Sequence, residues 1–317
     1  MSRSQTPLVL ITGGAGFIGS HVIDRLMNRD CRILVLDDFS TGKFENLREH
    51  IQKITVVKRD IRSQSILDTP ISDVEAIIHL AAIVDHEACL RNPDLAKAVN
   101  ADGTLAMLEA ARKLDVSAFV YASSAALYGE PRKLPVSEEM EPAPLAPYGT
   151  SKLLIEQHCL RYFREYGIRT VCLRFFNIFG PRQSAKQYSG VITEFMKRLS
   201  KGEPPAIQGD VFQTRDFVNV ADVADAILLA LDSERKASGI YNIATGNETT
   251  INNLADILIQ LSDKKSITPI HELPRKGDIR RSVADITKAR AELGFNPKTV
   301  LERDLSELWE WYRKFPS

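Results

Sequence analysis

The chain has 317 residues, more than one hydrophobic core usually supports, so two lobes are expected. Apolar residues make up 44% and charged residues 26% of the sequence, which is ordinary for a soluble enzyme. Lysine plus arginine and aspartate plus glutamate each number 41, so the net charge is zero. This balance argues against a protein that binds nucleic acid or an anionic membrane, because both functions need a basic excess.

The sequence has no window of about 18 apolar residues, and segment 1–7 lacks the features of a signal peptide. The four cysteines form no CxxC pair, and none lies beside a histidine at metal-ligand spacing. They are Cys31, Cys89, Cys159 and Cys172. We therefore expect a cytoplasmic protein with reduced thiols and no metal site.

Short apolar runs alternate with helical patterns in the first half of the chain. The runs cover residues 8–12, 32–36, 54–58, 76–80, 118–122 and 170–175, and helical patterns include 17–27, 94–114 and 148–166. Continuous apolar strands that alternate with helices indicate a parallel sheet covered on both faces. The sequence therefore predicts an α/β fold with a doubly wound, Rossmann-like parallel sheet.

The pattern changes after residue 176, where prolines separate shorter elements. We expect residues 1–176 to form the first domain and residues 177–317 a smaller C-terminal α/β lobe. Segment 216–231 again has a strand-then-helix pattern, so the chain is expected to return to the first domain around residues 216–235.

A glycine-rich loop follows the first predicted strand. Gly13, Gly16 and Gly19 open the first predicted helix, where glycines let backbone N–H groups approach a pyrophosphate. Asp37 ends the second strand, at a position where a carboxylate accepts hydrogen bonds from ribose hydroxyls and repels a 2′-phosphate. The sequence therefore predicts NAD rather than NADP. For Asp60, at the end of the third strand, an adenine contact and a structural turn are equally supported.

A tyrosine and a lysine lie four residues apart, so on a helix their side chains share one face. They are Tyr148 and Lys152, and Pro147 suits the start of that helix. Ser124 closes the fifth strand, at the edge where doubly wound sheets bind ligands. An ammonium and a nicotinamide charge favour the phenolate of a tyrosine. We expect Tyr148 to act as the base, Lys152 to lower its pKa, and Ser124 to orient the reacting hydroxyl.

The glycine spacing resembles the short-chain dehydrogenase/reductase superfamily, and the chain length and second lobe resemble its extended branch. Nearly the whole chain resembles the UDP-glucose / UDP-N-acetylglucosamine 4-epimerase family. The matching motifs are TGGAGFIGSH at 12–21, HLAA at 79–82, Asn100 with Gly103 and Thr104, SSAALYG at 123–129, RFFNIFGPRQ at 174–183, RDFV at 215–218 and YNIATG at 241–246.

The resemblance implies an NAD-binding domain at 1–176 and a nucleotide-sugar-binding lobe at 177–317. It implies that Tyr148 takes the C4 hydroxyl proton of a UDP-sugar while C4 hydride passes to tightly bound NAD. The 4-keto sugar then turns over, and hydride returns to the opposite face. The resemblance also implies a homodimer in which segments 94–114 and 148–166 form a four-helix bundle.

The resemblance also implies the binding residues. Those expected to bind the cofactor are Gly13, Gly16, Phe17, Ile18, Gly19, Asp37, Asp38, Phe39, Ser40, Gly42, Asp60, Ile61, Leu80, Ala81, Ala82, Asn100, Ser123, Tyr148, Lys152 and Phe175. Those expected to bind the substrate are Val84, Ser124, Tyr148, Asn177, Val191, Arg215, Arg275, Asp278 and Ser282. Within the second set, both arginines are expected at the diphosphate and Asp278 at the nucleotide ribose.

Other nucleotide-sugar reactions remain as alternatives. The 4,6-dehydratases and UDP-glucuronate decarboxylases usually carry a carboxylate after the active-site hydroxyl residue, where this chain has Ala125. Epimerisation therefore fits best, ahead of dehydration, decarboxylation or uronic acid epimerisation. A non-catalytic dinucleotide-binding module is a further alternative, but the presence of Tyr148 and Lys152 argues against it.

Two positions bear on the identity of the sugar. Ser282, four residues after Asp278, stands where family members restricted to UDP-glucose and UDP-galactose carry a tyrosine. Its small side chain leaves room for a 2-N-acetyl group, so UDP-GlcNAc and UDP-GalNAc are expected substrates. Segment 83–87 is more acidic than is usual in the family, and Asp85 or His86 either contacts the sugar or is merely solvated.

Overall fold

The computed structural model describes residues 6–63, 73–184, 190–209, 212–234, 237–264, 266–274 and 278–315. Its strands are β1 (Leu8–Thr12), β2 (Arg32–Asp37), β3 (Thr55–Lys58), β4 (Val74–His79), β5 (Ala118–Ser124), β6 (Arg169–Phe175), β7 (Asn177–Phe179), β8 (Ala206–Gln208), β9 (Thr214–Arg215), β10 (Phe217–Asn219), β11 (Gly239–Ile243), β12 (Thr249–Thr250) and β13 (Ile270–Glu272). Its α-helices are α1 (Phe17–Leu26), α2 (His86–Arg91), α3 (Pro93–Lys97), α4 (Thr104–Lys113), α5 (Pro147–Tyr166), α6 (Val191–Ser200), α7 (Val220–Asp232), α8 (Ile251–Leu261), α9 (Thr287–Leu293) and α10 (Leu301–Lys314).

Seven strands form one parallel sheet in the order β11-β6-β5-β4-β1-β2-β3. The chain leaves β1 toward β2 and β3 on one side, and toward β4, β5 and β6 on the other. A sheet of this kind binds ligands at its carboxyl edge, at the point where the strand order reverses. The predicted doubly wound parallel sheet is confirmed, and the switch point lies between β1 and β4.

Helices cover both faces of the sheet. On one face, α1 and α7 pack against the sheet through Ile23, Leu26, Val223 and Ile227, which are fully buried. On the other face, α4 and α5 pack through a second buried cluster that includes Met107, Leu108 and Ile155. The continuous apolar strands of the sequence are thus explained by burial on both faces.

The chain comes back to the large sheet after leaving it at β6. Helix α7 lies in the segment expected to return, and β11 then adds the seventh strand by pairing with β6. A separate apolar cluster joins α6, α8 and α10 around Phe195, Leu258 and Leu308. The division into two domains at residue 176 stays a prediction.

The predicted helix over 94–114 is interrupted. A π-helical turn, Ala98–Gly103, joins α3 to α4. A Cβ on Gly103 would lie 2.9 Å from the Ile61 side chain, so the wide turn fits tightly against the turn that follows β3. Such π-bulges occur frequently at functional sites, and this one carries Asn100.

The described helices are all too short or too polar to cross a bilayer. Within the same described ranges, no group of three histidine, cysteine, aspartate or glutamate side chains is arranged to hold a metal ion. All four cysteines are free thiols.

Candidate active site

The glycine-rich loop passes close to the end of β4. Gly13 has a φ of +69°, and a Cβ there would lie 2.8 Å from the backbone nitrogen of Ala81. A Cβ on Gly19 would lie 2.4 Å from the carbonyl oxygen of Gly13. Helix α1 begins after Gly16 with no side-chain cap, which leaves its first N–H groups for an anion.

The carboxylate of Asp37 is held rigidly at the end of β2. It accepts hydrogen bonds from the backbone N–H of Ala15 at 2.9 Å and of Phe39 at 2.8 Å. A Cβ on Gly42 would lie 2.8 Å from its Oδ1, so that glycine lets the chain pass the carboxylate. Burial raises the pKa of Asp37, and the two N–H donors oppose this shift. The side chain thus stands beside the glycine loop, where the sequence predicts the ribose.

The carboxylates of Asp38 and Asp60 each accept hydrogen bonds from a residue two positions later in the chain. Asp38 accepts hydrogen bonds from the backbone N–H and the hydroxyl of Ser40. Asp60 accepts from the backbone N–H of Arg62 at 2.8 Å and from its guanidinium, which holds the pKa of Asp60 below its usual value. This pairing favours the structural-turn interpretation of Asp60, while Ile61 is buried.

Polar contacts fix the segment that follows β4. The Nδ1 and Nε2 atoms of His79 lie 2.8 Å and 2.9 Å from the hydroxyls of Thr12 and Thr104. Burial lowers the pKa of His79 to about 3, so its imidazole is neutral at pH 7. The Asn100 side chain accepts from the N–H of Ile83 and donates to its carbonyl, at 2.7 Å and 2.8 Å. Leu80, Ala81 and Ala82 are therefore held beside the glycine loop.

Tyr148 and Lys152 lie on the first turns of α5, against the end of β5. The Nζ of Lys152 donates to the Ala122 carbonyl at 2.7 Å and lies 5.6 Å from the Tyr148 ring centroid. Both side chains are buried. Burial lowers the pKa of Lys152 to about 8, against the opposing charge of Glu156.

Ser124 lies at the same corner of the site. It is the last residue of β5, and its hydroxyl accepts a hydrogen bond from the N–H of Ala126 at 3.2 Å. A Cβ on Gly149 would lie 2.6 Å from the Ala126 carbonyl, so the start of α5 packs directly on the turn after Ser124. The fold thus gathers the three predicted catalytic residues at the carboxyl edge of β5.

A buried ion pair that the sequence analysis did not identify lies behind the catalytic residues. Arg174 donates to both oxygens of Glu156 at 2.9 Å and 2.7 Å, and Ser123 donates to the same carboxylate. Both charged side chains are at most 3% exposed. The hydroxyl of Ser123, a predicted cofactor ligand, therefore points into this pair. Glu156 follows Lys152 by one helical turn, and this spacing was the feature of the sequence from which its burial behind the catalytic residues could have been predicted.

The predicted nucleotide-binding residues meet in the C-terminal part of the chain. Arg215 pairs with Asp278 at 2.7 Å, and Gln213 donates to the other oxygen of that carboxylate at 2.9 Å. Gln213 was not predicted from the sequence, because it lies 65 positions from its partner. Arg275 lies outside the described residues.

The remaining predicted substrate residues have different surroundings. Ser282 is buried, Asn177 begins β7 and donates its N–H to the Asp216 carbonyl, and Val191 begins α6. Val84 is 43% exposed on the loop after β4. Of the predicted nucleotide-binding residues, the structure therefore brings Arg215 and Asp278 into direct contact.

The acidic loop after β4 has a defined role in the fold. Asp85 is the N-cap of α2, where its Oδ1 accepts a hydrogen bond from the N–H of Ala88 at 2.9 Å. The ring of His86 packs on the ring of Tyr148. Neither residue is simply a solvated side chain.

The model of the NAD dependent epimerase/dehydratase family matches residues 9–244. The protein belongs to this family. The match includes the glycine loop, Asp37 and all three predicted catalytic residues. The predicted family and the prediction of NAD as cofactor are confirmed.

Individual relatives match along almost the full chain. The UDP-glucose 4-epimerase of Mycolicibacterium smegmatis is 34% identical over 313 residues, which cover 96% of this chain and 98% of that protein. The structure of Thermotoga maritima UDP-glucose 4-epimerase with UDP-glucose is 36% identical, with a TM-score of 0.91, and the match covers 98% of this chain and 100% of that one. The UDP-N-acetylglucosamine 4-epimerase of Methanobrevibacter ruminantium M1, in complex with UDP-N-acetylmuramic acid, is 32% identical, with a TM-score of 0.92 and coverage of 98% and 99%.

Proposed function

We propose that the protein is a UDP-sugar 4-epimerase that accepts N-acetylated as well as plain UDP-hexoses. The observation that carries the proposal is the convergence of Ser124, Tyr148 and Lys152 at the carboxyl end of β5, on the same edge of the parallel sheet as the glycine loop that follows β1. Ala125 stands directly after Ser124, so the hydroxyl residue is not followed by a carboxylate. The site thus has a base for the C4 hydroxyl proton, which epimerisation needs, but lacks at this position the additional acid that a dehydratase uses to eliminate water.

The residues at the switch point fit NAD. The close backbone approaches at Gly13 and Gly19 let the glycine loop and α1 pack tightly on the end of β4 and on each other, and the first N–H groups of α1 have no side-chain cap. The rigid carboxylate of Asp37 suits two ribose hydroxyls and opposes a 2′-phosphate. When bound, NAD supplies reversible acceptance of hydride at C4.

The chain's own residues handle the proton and hold the substrate. Tyr148 removes the C4 hydroxyl proton, because the Lys152 ammonium near its ring stabilises the phenolate. Ser124 orients the same oxygen. Arg215 and Asp278 hold the nucleotide half while the sugar half turns, so both faces of C4 are presented in succession.

The small side chain of Ser282 supports use of N-acetylated sugars. Ser282 is buried, at 8% exposure, so a tyrosine at this position would fill space that we propose is taken by the 2-N-acetyl group of the sugar. The relative from Methanobrevibacter ruminantium bears the name UDP-N-acetylglucosamine 4-epimerase, which is consistent with this proposal. Steric pockets discriminate only modestly between substrates, so dual use is expected.

We also propose a homodimer formed through the helices of segments 94–114 and 148–166. Leu154 on α5 and Leu95 on α3 are 40% and 38% exposed, and α3 packs against α5. Exposed leucines on adjacent helices favour a helix-bundle contact between two copies.

The proposed function is tested by proton NMR of the purified protein with UDP-glucose and, separately, with UDP-GlcNAc, without added NAD. We expect the anomeric signal of the galacto product to appear with both substrates. Ser282→Tyr is expected to lower kcat/KM for UDP-GlcNAc by about 10- to 100-fold while changing that for UDP-glucose little. No product from either sugar would overturn the epimerase proposal, and equal loss on both sugars in the variant would overturn the role of Ser282.

A further inference from the structure

His86 lies against the catalytic tyrosine and has no part in the chemistry described above. The centroids of the His86 and Tyr148 rings are 5.2 Å apart, and their planes are inclined by 51°. This separation is within the range of favourable aromatic contacts, which have a preferred geometry. Burial lowers the pKa of the half-buried His86, so its ring meets Tyr148 as a neutral group at pH 7.

The loop that carries His86 is fixed at both of its ends. At its start, Asn100 makes two hydrogen bonds with the backbone of Ile83. At its end, Asp85 caps α2 through the N–H of Ala88, and His86 is the first residue of that helix. The position of the imidazole is therefore determined by contacts that the sugar does not have to supply.

The phenol of Tyr148 is supported from more than one side. It belongs to a buried cluster with Cys89 of α2 and Ala96 of α3. The Nζ of Lys152 lies 5.6 Å from its ring centroid, and His86 packs on the ring as well. Because a tyrosine side chain turns about only two bonds, contacts on its ring set the direction in which Oη points.

We propose that His86 is a positioning residue for Tyr148, whose ring holds the phenol in the orientation needed at the C4 hydroxyl of the sugar. The inference rests on the proposed 4-epimerase function. It assigns the effect to ring packing rather than to the polarity of the imidazole. An error of about 1 Å in the placement of a reacting group costs on the order of 100-fold in rate, so the contact affects kcat.

The test compares His86→Phe, His86→Ala and His86→Gln with the wild-type enzyme on UDP-glucose. We expect kcat to fall by about 10- to 100-fold in the alanine and glutamine variants and by less than about 3-fold in the phenylalanine variant, with KM changed by less than about 3-fold in all. Glu87→Ala is the matched control, because Glu87 is exposed on the same turn of α2. It is expected to retain the wild-type kcat.

Three results would overturn the proposal: wild-type kcat in the alanine and glutamine variants, a phenylalanine variant as slow as the alanine variant, or a loss confined to KM. Melting temperatures identify any variant that fails to fold, and the glutamine variant, which retains more side-chain volume, keeps the test valid if the alanine variant unfolds. A wild-type enzyme that does not interconvert the sugars would instead refute the function itself, so the two failures are distinguishable.

Discussion

At the scale of single residues, the charge of Lys152 is the feature on which the chemistry most depends. Its ammonium lies within 5.6 Å of the Tyr148 ring centroid in a buried setting, where charges interact more strongly than in water. Burial lowers its pKa from 10.5 to about 8, so the side chain is charged below about pH 8 and neutral above it. Lys152 therefore stabilises the Tyr148 phenolate below about pH 8 and loses this effect as the pH rises above that value.

We expect kcat/KM to fall as the pH rises above about 8, because Lys152 then loses the proton that favours the Tyr148 phenolate. Lys152→Arg keeps a charge at all accessible pH values, so its alkaline fall should disappear even where the absolute rate is lower. The measurement is a pH–rate profile of both enzymes. An unchanged alkaline fall in the arginine variant would contradict the assignment to Lys152.

At the scale of elements, the turn from β1 into α1 determines whether the cofactor can be held. Its glycines are required by backbone contacts, since a Cβ on Gly19 would meet the Gly13 carbonyl at 2.4 Å. The Gly13 carbonyl oxygen is a backbone atom, so it cannot move aside as the end of a flexible side chain would. A side chain at position 19 must therefore displace the start of the helix from the sheet.

Gly19→Ala is expected to yield protein with less than about a tenth of the bound NAD of the wild type, because the N–H groups that face the pyrophosphate move. NAD released from a known amount of denatured protein measures this directly. The matched control is Gly294→Ala, where φ is +70° and no atom lies within 4 Å of the added Cβ. That variant should lose about 1 kcal/mol of stability to backbone strain yet keep its NAD. Equal NAD contents in the two variants would contradict this account of the loop.

At the scale of the whole molecule, the sequence predicted the elements whose pattern is local. The first six strands of the large sheet, α1 and α5 follow apolar runs and helical spacing, and the structure confirms them within a few residues. The seventh strand, β11, did not stand out, because its sequence GIYNI contains a glycine and an asparagine and gives no continuous apolar run.

The parts of the site that escaped prediction depend on contacts between distant positions. Gln213 meets Asp278 across 65 positions, and the Glu156–Arg174 pair joins α5 to β6. The role of Asp85 as a helix cap and the packing of His86 on Tyr148 became visible only with α2 in place. Motif spacing predicts which residues reach a ligand, whereas the groups that hold those residues follow from packing.

The proposed dimer gives a prediction at the same scale. Leu154→Glu should shift the molecular mass in light scattering from dimer to monomer, because it places a charge in the apolar contact between helices. Leu273→Glu is the control, since Leu273 is 88% exposed outside α4 and α5 and its change should leave the mass unaltered. A wild-type monomer, or a Leu154→Glu variant that stays dimeric, would contradict the proposed interface.

In the proposed reaction, C4 is inverted by removal and return of the same hydrogen inside the protein. This inversion is tested most directly by proton NMR of the reaction of UDP-glucose in deuterium oxide, with no NAD added. We predict a galacto product that keeps its full C4 proton signal, because that hydrogen never exchanges with solvent. Deuterium at C4 or C5 of the product would contradict the account, since it would show that inversion proceeds through loss of a carbon-bound proton to water.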